Sequence, residues 1–369
     1  MEEIAKKEKK EKKKMALWKK ILVGVLAVIF LFVSCVGIYA ISLFSKINRF
    51  DPVETIAPEH EDFETDDSDQ NVSEEEYPVL DPDNVIWDPT PEPDETPGST
   101  GAPDATKKPS GTPRPAVTIP KDKDIINILL IGQDRWEGDV RQRSDSMIIA
   151  TLNKKTKTIK LTSLMRDMYV QIPGYSDNRI NAAYKFGGAE LLNKTIYKNF
   201  GVTIDGNIVV DFLDFVHVID KIGGVDIALT KAEIEYLKLE GKATPGKKFH
   251  MNGQDALRYC RIRRLAGGDF GRTERQRKVL TDVFNKSLAM GLPGVLGLVE
   301  EVFPLITTDL KTTQLVEYAT TVFSMGISSM ETNSIPVKGA YTQAKIRGMA
   351  VIVPDLYKNR VALKEIIES

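Results

Sequence analysis

The 369 residues, 42% hydrophobic and 28% charged, suffice for one sizeable α/β domain with appendages. The formal net charge of −2 conceals a partition: residues 1–50 carry 11 Lys+Arg against 4 Asp+Glu and residues 51–120 carry 3 against 19, which leaves residues 121–369 at +7. Two cysteines, Cys35 and Cys260, exclude a disulfide within that basic domain and a thiolate metal site, and three histidines without metal-binding spacing (His60, His217, His250) argue against zinc.

Residues 1–20 form a lysine-rich tail, and Ile21 through Phe44 are almost uninterruptedly apolar. A run of that length spans a bilayer core of about 30 Å, so a single transmembrane helix is predicted over 21–44. Lys19 and Lys20 on its amino side place the tail in the cytoplasm and the rest outside the cell. The competing reading, a cleaved signal peptide, is disfavoured by the length of the run and the lack of a small-x-small cleavage site. Residues 45–120 read as an acidic, Pro-rich linker, with 13 of the chain's 19 prolines between 51 and 120. Such a stretch cannot bury enough apolar surface to offset ordering entropy, and is expected to be disordered and to hold the domain away from the membrane.

The domain of 121–369 opens on a continuous apolar strand, Ile125–Ile131, suited to burial on both faces. Two β-rich runs follow, 146–152 and 158–165, joined by a polar hairpin loop at 153–157. A helix is predicted over 181–200 and stopped by Gly201, then a strand at 204–210, a helix at 211–222 closed by Gly223-Gly224, and a strand at 225–229. Further helices are predicted at 252–260, 274–289, 295–303 and 312–323, strands at 333–337 and 350–353, and a last helix from Asp355. Strands and helices interleaved in this way predict an α/β fold with a mixed central β-sheet flanked by helices on both faces.

Charged residues return to one end of this sheet. With the hairpin loop centred between Lys155 and Thr156, residue i pairs with residue 311 minus i, which sets Asp145 opposite Arg166 at the open end. If the first strand runs parallel to the second hairpin arm, Asp134 and Arg135 arrive at the same edge, where α/β sheets bind ligands. Asp134 and Asp145 then suit a hard cation such as Mg²⁺, which takes oxygen ligands and keeps phosphate oxygens as partners; singly, each also reads as a turn or cap aspartate. In the run Arg258-Tyr259-Cys260-Arg261-Ile262-Arg263-Arg264, an extended backbone puts Arg261 and Arg263 on one face, an arrangement that an anion between them would relieve. A solvated basic face is the bland alternative. Finally, Gly267-Gly268 opens a helix whose Arg272, Arg275 and Gln276 stand at i, i+3, i+4 and are expected to point the same way. Together the three clusters suit a pyrophosphate.

The ordered motifs Gly132-Gln133-Asp134-Arg135, Arg143-Ser144-Asp145-Ser146, Ser163-Leu164-Met165-Arg166-Asp167, Gly187-Gly188, Gly223-Gly224-Val225-Asp226, Leu257 to Arg263 and Asp269-Phe270-Gly271-Arg272-Thr273-Glu274-Arg275-Gln276 resemble the LytR-CpsA-Psr family of cell-wall ligases, over roughly 127–280. The resemblance implies a membrane-anchored phosphotransferase that moves a glycan phosphate from an undecaprenyl-pyrophosphate carrier to peptidoglycan, at the 6-hydroxyl of N-acetylmuramic acid. It implies Mg²⁺ on Asp134 and Asp145, pyrophosphate on Arg143, Arg166, Arg261, Arg263, Arg272 and Gln276, with Arg275 alongside them, and chemistry centred on Arg166, Asp167 and Arg263. It also implies an apolar prenyl pocket, whose candidates are the apolar residues of 209–222 and 279–288. Nucleic acid is not an expected partner, because the basic domain is placed outside the cell. One departure from the family pattern is Met165, where a proline is usual; the loss of a fixed φ is expected to loosen the aim of Arg166. Two other readings share the same residues: a pyrophosphatase acting on prenyl-linked lipids, and a non-enzymatic membrane regulator.

Overall fold

The computed structural model describes residues 48–50, 77–85, 87–88, 117–133, 143–327 and 329–369. The predicted transmembrane run at 21–44 lies outside the described residues, as do Asp134 and Arg135. Among the described residues, no helix is long and apolar enough to cross a membrane.

A six-stranded mixed sheet forms the centre, built from β1 (Ile125–Gln133), β2 (Ser144–Asn153), β3 (Thr158–Leu164), β6 (Gly206–Asp211), β9 (Thr307–Thr308) and β10 (Met330–Ile335) in the order β10-β3-β2-β1-β6-β9. The β2–β3 hairpin has the predicted register, with Ile148 opposite Ser163 and Asn153 opposite Thr158. Because β2 is antiparallel to both β1 and β3, those two strands run the same way, and β6 and β10 run parallel to them in turn. Four strands therefore deliver their carboxyl ends to one edge, the position that favours ligand binding.

Period-two alternation assigns the two faces of the sheet. Leu129, Ile131, Met147 and Ile149 enter the largest core, together with Ile180, Phe186, Leu192 and Ile196 of α1 (Ile180–Phe200) and Leu356, Leu363 and Ile367 of α7 (Leu356–Glu368). On the opposite face, Ile126, Leu152 and Ile159 meet Phe284 of α5 (Gly268–Val302) and Tyr318 and Val322 of α6 (Thr312–Met325). Helices thus cover both faces, as the interleaved pattern predicted. Local chemistry sets their ends. Gly201 stops α1 at φ 73°, and Asp211 caps α2 (Phe212–Lys221) by accepting from the Asp214 amide. The predicted break between helices near 290 is present inside α5, at Gly291 (φ 67°) ahead of Pro293.

Three parts differ from expectation. Residues 225–229 do not join the main sheet: β7 (Val225–Ala228) pairs with β8 (Lys248–Met251), a strand with no clear sequence signal, and the pair encloses a second core with α3 (Lys231–Leu237) and α4 (Gly253–Cys260). Likewise, β12 (Met349–Pro354) pairs only with β11 (Tyr341–Ile346) as a separate ribbon. The third is in the acidic stretch, where residues 48–50, 77–85, 87–88 and 117–120 lie on the domain rather than apart from it. Asn48 bridges Thr307, the Leu80 amide donates to Lys345 O at 2.9 Å, and Ile119 packs against the main core. The expectation of disorder throughout 45–120 fails at these points because Phe50, Leu80, Trp87 and Ile119 supply apolar anchors that an average over the stretch hides.

Candidate active site

At the carboxyl edge the β1–β2 ladder slips. Gly132 faces Ser146 while Gln133 faces Ser144, so Asp145 is the extra residue of a β-bulge. Bulges re-aim side chains, and Asp145 becomes the centre of the site. Arg166 donates from Nη1 to Asp145 Oδ1 at 2.6 Å, Arg263 Nη2 lies 3.9 Å from the same oxygen, and Arg272 Nη2 donates to the Asp145 carbonyl at 3.1 Å. The predicted Asp145–Arg166 pairing is therefore met, and both arginine clusters converge on it. Arg143 stands half-buried at the start of β2. Gln276 accepts a hydrogen bond from Ser146 Oγ at 3.1 Å, which ties the helix to the bulged strand.

Two carboxylates complete the cluster. Asp167 Oδ2 lies 3.7 Å from Arg166 Nε, and Asp269 lies 3.0 Å from Arg272 and 3.9 Å from Arg166. Burial pushes the Asp269 carboxyl up against the pull of Arg272, and burial likewise pushes the Arg272 guanidinium down against the pull of Asp269. Arg166 and Arg272 are 5% and 2% exposed. Like charges this close and this dry persist only where carboxylates compensate them, and guanidiniums so fixed lose little freedom on meeting an anion. Asp167 Oδ1 and Arg272 Nε are buried without a hydrogen bond among the described residues, so the cluster retains unused polar capacity.

The sequence expectation fails for Arg275. Its side chain leaves the cluster, with Nε 2.8 Å from Glu233 Oε1 and Nη1 donating to the Ile262 carbonyl at 3.2 Å. The i, i+3, i+4 arithmetic puts three side chains on one broad stripe, and a buried carboxylate beside that stripe captures the middle one. The expectation that Arg261 and Arg263 share a face fails as well: Arg261 ends α4 in helical conformation (φ −94°, ψ −1°), is exposed and stacks its guanidinium over Phe212 at 5.0 Å, whereas Arg263 turns inward to Asp145. Of the proposed prenyl-pocket residues, Val209, Ile219, Ile222 and Val279 are buried. Met165 is also buried, and its amide donates to Ile335 O at 2.9 Å, a bond proline lacks, so the backbone before Arg166 is tied to β10 where a proline would fix φ.

Two contributors escaped the sequence. Asp269 sits three residues before Arg272, a spacing that carries the signal for an ion pair on one helical face. Arg179 carries none: it is 1% exposed, lies 3.6 Å from Asp167 Oδ1 and reaches it only because β4 (Tyr169–Val170) folds back on β5 (Asn178–Arg179).

Fit to a divalent cation rests on the donor set. Asp145 is a hard oxygen donor, partly open to solvent, with only Oδ1 given to Arg166, and a magnesium ion that keeps water and phosphate oxygens needs just one or two carboxylates. Among the described residues, no three His, Cys, Asp or Glu side chains gather to hold a metal, and Asp134 lies outside them.

The sequence profile described as the LytR_cpsA_psr family matches residues 97–360, well over half of the chain. The chain belongs to the LytR-CpsA-Psr family. The regulatory protein MsrR of Staphylococcus aureus (strain COL) is 30% identical over 256 residues, 67% of this chain and 76% of that protein. The polyisoprenyl-teichoic acid–peptidoglycan teichoic acid transferase TagU of Bacillus cereus (strain AH820) is 37% identical over 163 residues, 44% of this chain and 52% of that protein. Among solved structures, Bacillus subtilis TagV gives a TM-score of 0.53 at 26% identity over 67% of this chain and 99% of that one. B. subtilis TagT, at 0.54 and 24% identity over 67% and 90%, shares the fold. All the candidate site residues fall inside the stretch that matches the LytR-CpsA-Psr profile.

Proposed function

We propose that this LytR-CpsA-Psr protein is a phosphotransferase that moves a glycopolymer phosphate from an undecaprenyl-pyrophosphate carrier to the 6-hydroxyl of N-acetylmuramic acid in peptidoglycan. The observation that carries the reading is the convergence of Arg166, Arg263 and Arg272 on Asp145 at the carboxyl edge of the sheet. Kinship with TagU, a teichoic acid transferase by name, agrees with it. In this reading residues 21–44 anchor the chain with its amino terminus in the cytoplasm, and the catalytic domain works outside the cell.

The acceptor oxygen attacks the glycan-side phosphorus, the bond to the bridging oxygen breaks, and prenyl phosphate leaves. Arg166, Arg263 and Arg272, with Arg143 at the rim, neutralise charge on the phosphate oxygens; the work is positioning and electrostatics. Magnesium held by Asp145 and Asp134 would add Lewis-acid neutralisation of those oxygens. The hydroxyl proton passes to a carboxylate, for which Asp167 and Asp134 are the candidates. Gln276 orients the pocket from Ser146, while Arg261, stacked over Phe212, and Arg275, paired with Glu233, stay outside the cluster.

Arg263 is the clean probe. It is one-third exposed, so removing it should leave the fold intact, whereas Arg166 is itself buried and its removal leaves a void and strips the partly exposed Asp145 of its partner. Transfer of labelled lipid-linked glycan to peptidoglycan by the full chain in vesicles should fall about 10²–10³-fold in Arg263→Ala. Wild-type transfer by that variant refutes the assignment. Release of free phosphoglycan in place of ligated product would make the protein a hydrolase, and tight binding of the donor without turnover would favour a regulator, the role in the name of MsrR.

A further inference from the structure

The acidic stretch enters the active-site framework. Pro78 O accepts from the Lys345 amide and the Leu80 amide donates to Lys345 O, both at 2.9 Å, so Val79 forms a parallel β-bridge with Lys345 of β11 in the two-stranded β11–β12 ribbon. Asp81 then caps a single turn at Pro82–Asn84. Leu80, Val85 and Trp87 close over a small core of Tyr169, Ala344, Ile346, Met349 and Val351. The Trp87 ring stacks on Tyr169 (centroids 6.1 Å apart, planes at 20°), and its Nε1 donates to Asp177 Oδ2 at 2.9 Å. Asp88 Oδ2 accepts from the Tyr357 amide in the first turn of α7.

What lies beneath this clip is the backbone that carries Arg166 and Asp167. Tyr169 is two residues beyond Asp167, is fully buried, and pairs in β4–β5 with Arg179, whose Nε lies 3.6 Å from Asp167 Oδ1. The same guanidinium donates to the Ala350 carbonyl from Nε at 3.2 Å and Nη2 at 2.6 Å, and the Ile352 amide donates to Asp167 O at 2.9 Å. The β11–β12 ribbon is therefore the wall against which the Arg166–Asp167 loop is set. It shares no ladder with the six-stranded sheet, and a two-stranded ribbon alone is only marginally stable.

We propose that residues 77–85 with Trp87 and Asp88 are a built-in positioning element of the active site, in which Trp87, acting through Tyr169 and the β11–β12 wall, fixes the aim of Asp167 and Arg166. Trp87 touches none of the reacting groups and is a positioning residue. The proposal rests on the phosphotransferase reading for its kinetic consequence, while its structural consequence is independent of it.

The test uses the full chain in vesicles, with Trp87→Ala, Trp87→Phe and Leu80→Pro; the last deletes the amide that bonds to Lys345. In Trp87→Ala, kcat for transfer should fall about ten- to a hundredfold, the scale of a small misplacement, with KM for the lipid-linked donor within about twofold. Trp87→Phe keeps a ring on Tyr169 and should recover most of the rate. Amide exchange in wild type should be slow at Leu80 and Lys345, and in both Trp87→Ala and Leu80→Pro it should speed up about tenfold or more at 167–170 and 350–352 but not in β1 or α1. Exchange at Leu80 and Lys345 at the rate of an unprotected amide, or unaltered exchange at 167–170 in both variants, overturns the proposal. Absence of turnover in wild type refutes the transferase reading, and the exchange pattern then decides this one by itself. Should Trp87→Ala fail to fold, Leu80→Pro carries the same two readouts.

Discussion

Replacing Glu233 should unfasten the active-site frame, and the cost follows from geometry. Glu233 and Arg275 are 3% and 6% exposed, the Nε–Oε1 separation is 2.8 Å, and the second guanidinium edge binds Ile262 O, between the two arginines of the 261–263 run. Glu233 also closes the capping box of α3 with Thr230. Removing one partner of a buried pair leaves the other charge uncompensated, which costs about 3–5 kcal/mol, and losing the cap adds about 1 kcal/mol. In a domain of this size that is a Tm lower by roughly 8–24 °C for Glu233→Ala, measured by calorimetry. The double variant Glu233→Leu, Arg275→Met replaces the charges with apolar groups of similar volume and should regain most of the loss, since apolar replacement of a buried pair is often neutral. It should also transfer glycan within about threefold of wild type, because Arg275 holds the frame and not the ligand. A single variant that loses less than about 1 kcal/mol, or a double variant as unstable as the sum of its parts, refutes the reasoning.

The same pair sets a pH dependence. Burial works to raise the Glu233 carboxyl, but hydrogen bonds from Thr230 and the Arg275 guanidinium outweigh it and hold the group below the usual carboxylate range. A folded-state value depressed in this way contributes stability that is present above the unfolded value and lost as pH falls through the folded one. The Tm gap between wild type and Glu233→Gln should be full at pH 7 and shrink below pH about 4; a gap that widens on acidification has the wrong sign.

Two further outcomes are accessible. A Cβ at Gly253 would lie 2.1 Å from the Val216 carbonyl oxygen, so α2 and α4 would have to separate; Gly253→Ala should cost about 1–3 kcal/mol in chemical denaturation, and an unshifted midpoint would contradict the closeness of that crossing. If magnesium is required, EDTA should abolish transfer and added magnesium restore it, with Asp145→Asn needing about tenfold more; full activity in EDTA would remove the metal from the mechanism.

Much of the architecture was already written in local pattern. Continuous apolar strands, the polar loop at 153–157 and the helix caps and stops at Asp211, Gly201 and Asp355 each depend on neighbours within a few residues, so the hairpin register and with it the Asp145–Arg166 pairing could be computed from spacing alone. Contacts between distant segments were another matter. Arg272 and Arg275 lie on the same stretch of helix, and although Asp269 three residues earlier marks Arg272 locally, only the arrival of Glu233, 42 positions before Arg275, turns Arg275 into a strut. Arg179 becomes the partner of Asp167 through a two-residue strand pair too short to signal itself. The acidic stretch has the composition of a free tether, yet Trp87 finds Tyr169 and Asp177 to pair with, and burial of a few well-placed apolar groups outweighs the average character of the segment. Sequence determined which chemistry the chain carries and at which sheet edge, because those follow from side-chain type and short-range period. Tertiary structure decided which charges face the ligand and which brace the frame, because a buried charge goes wherever folding places its counter-charge.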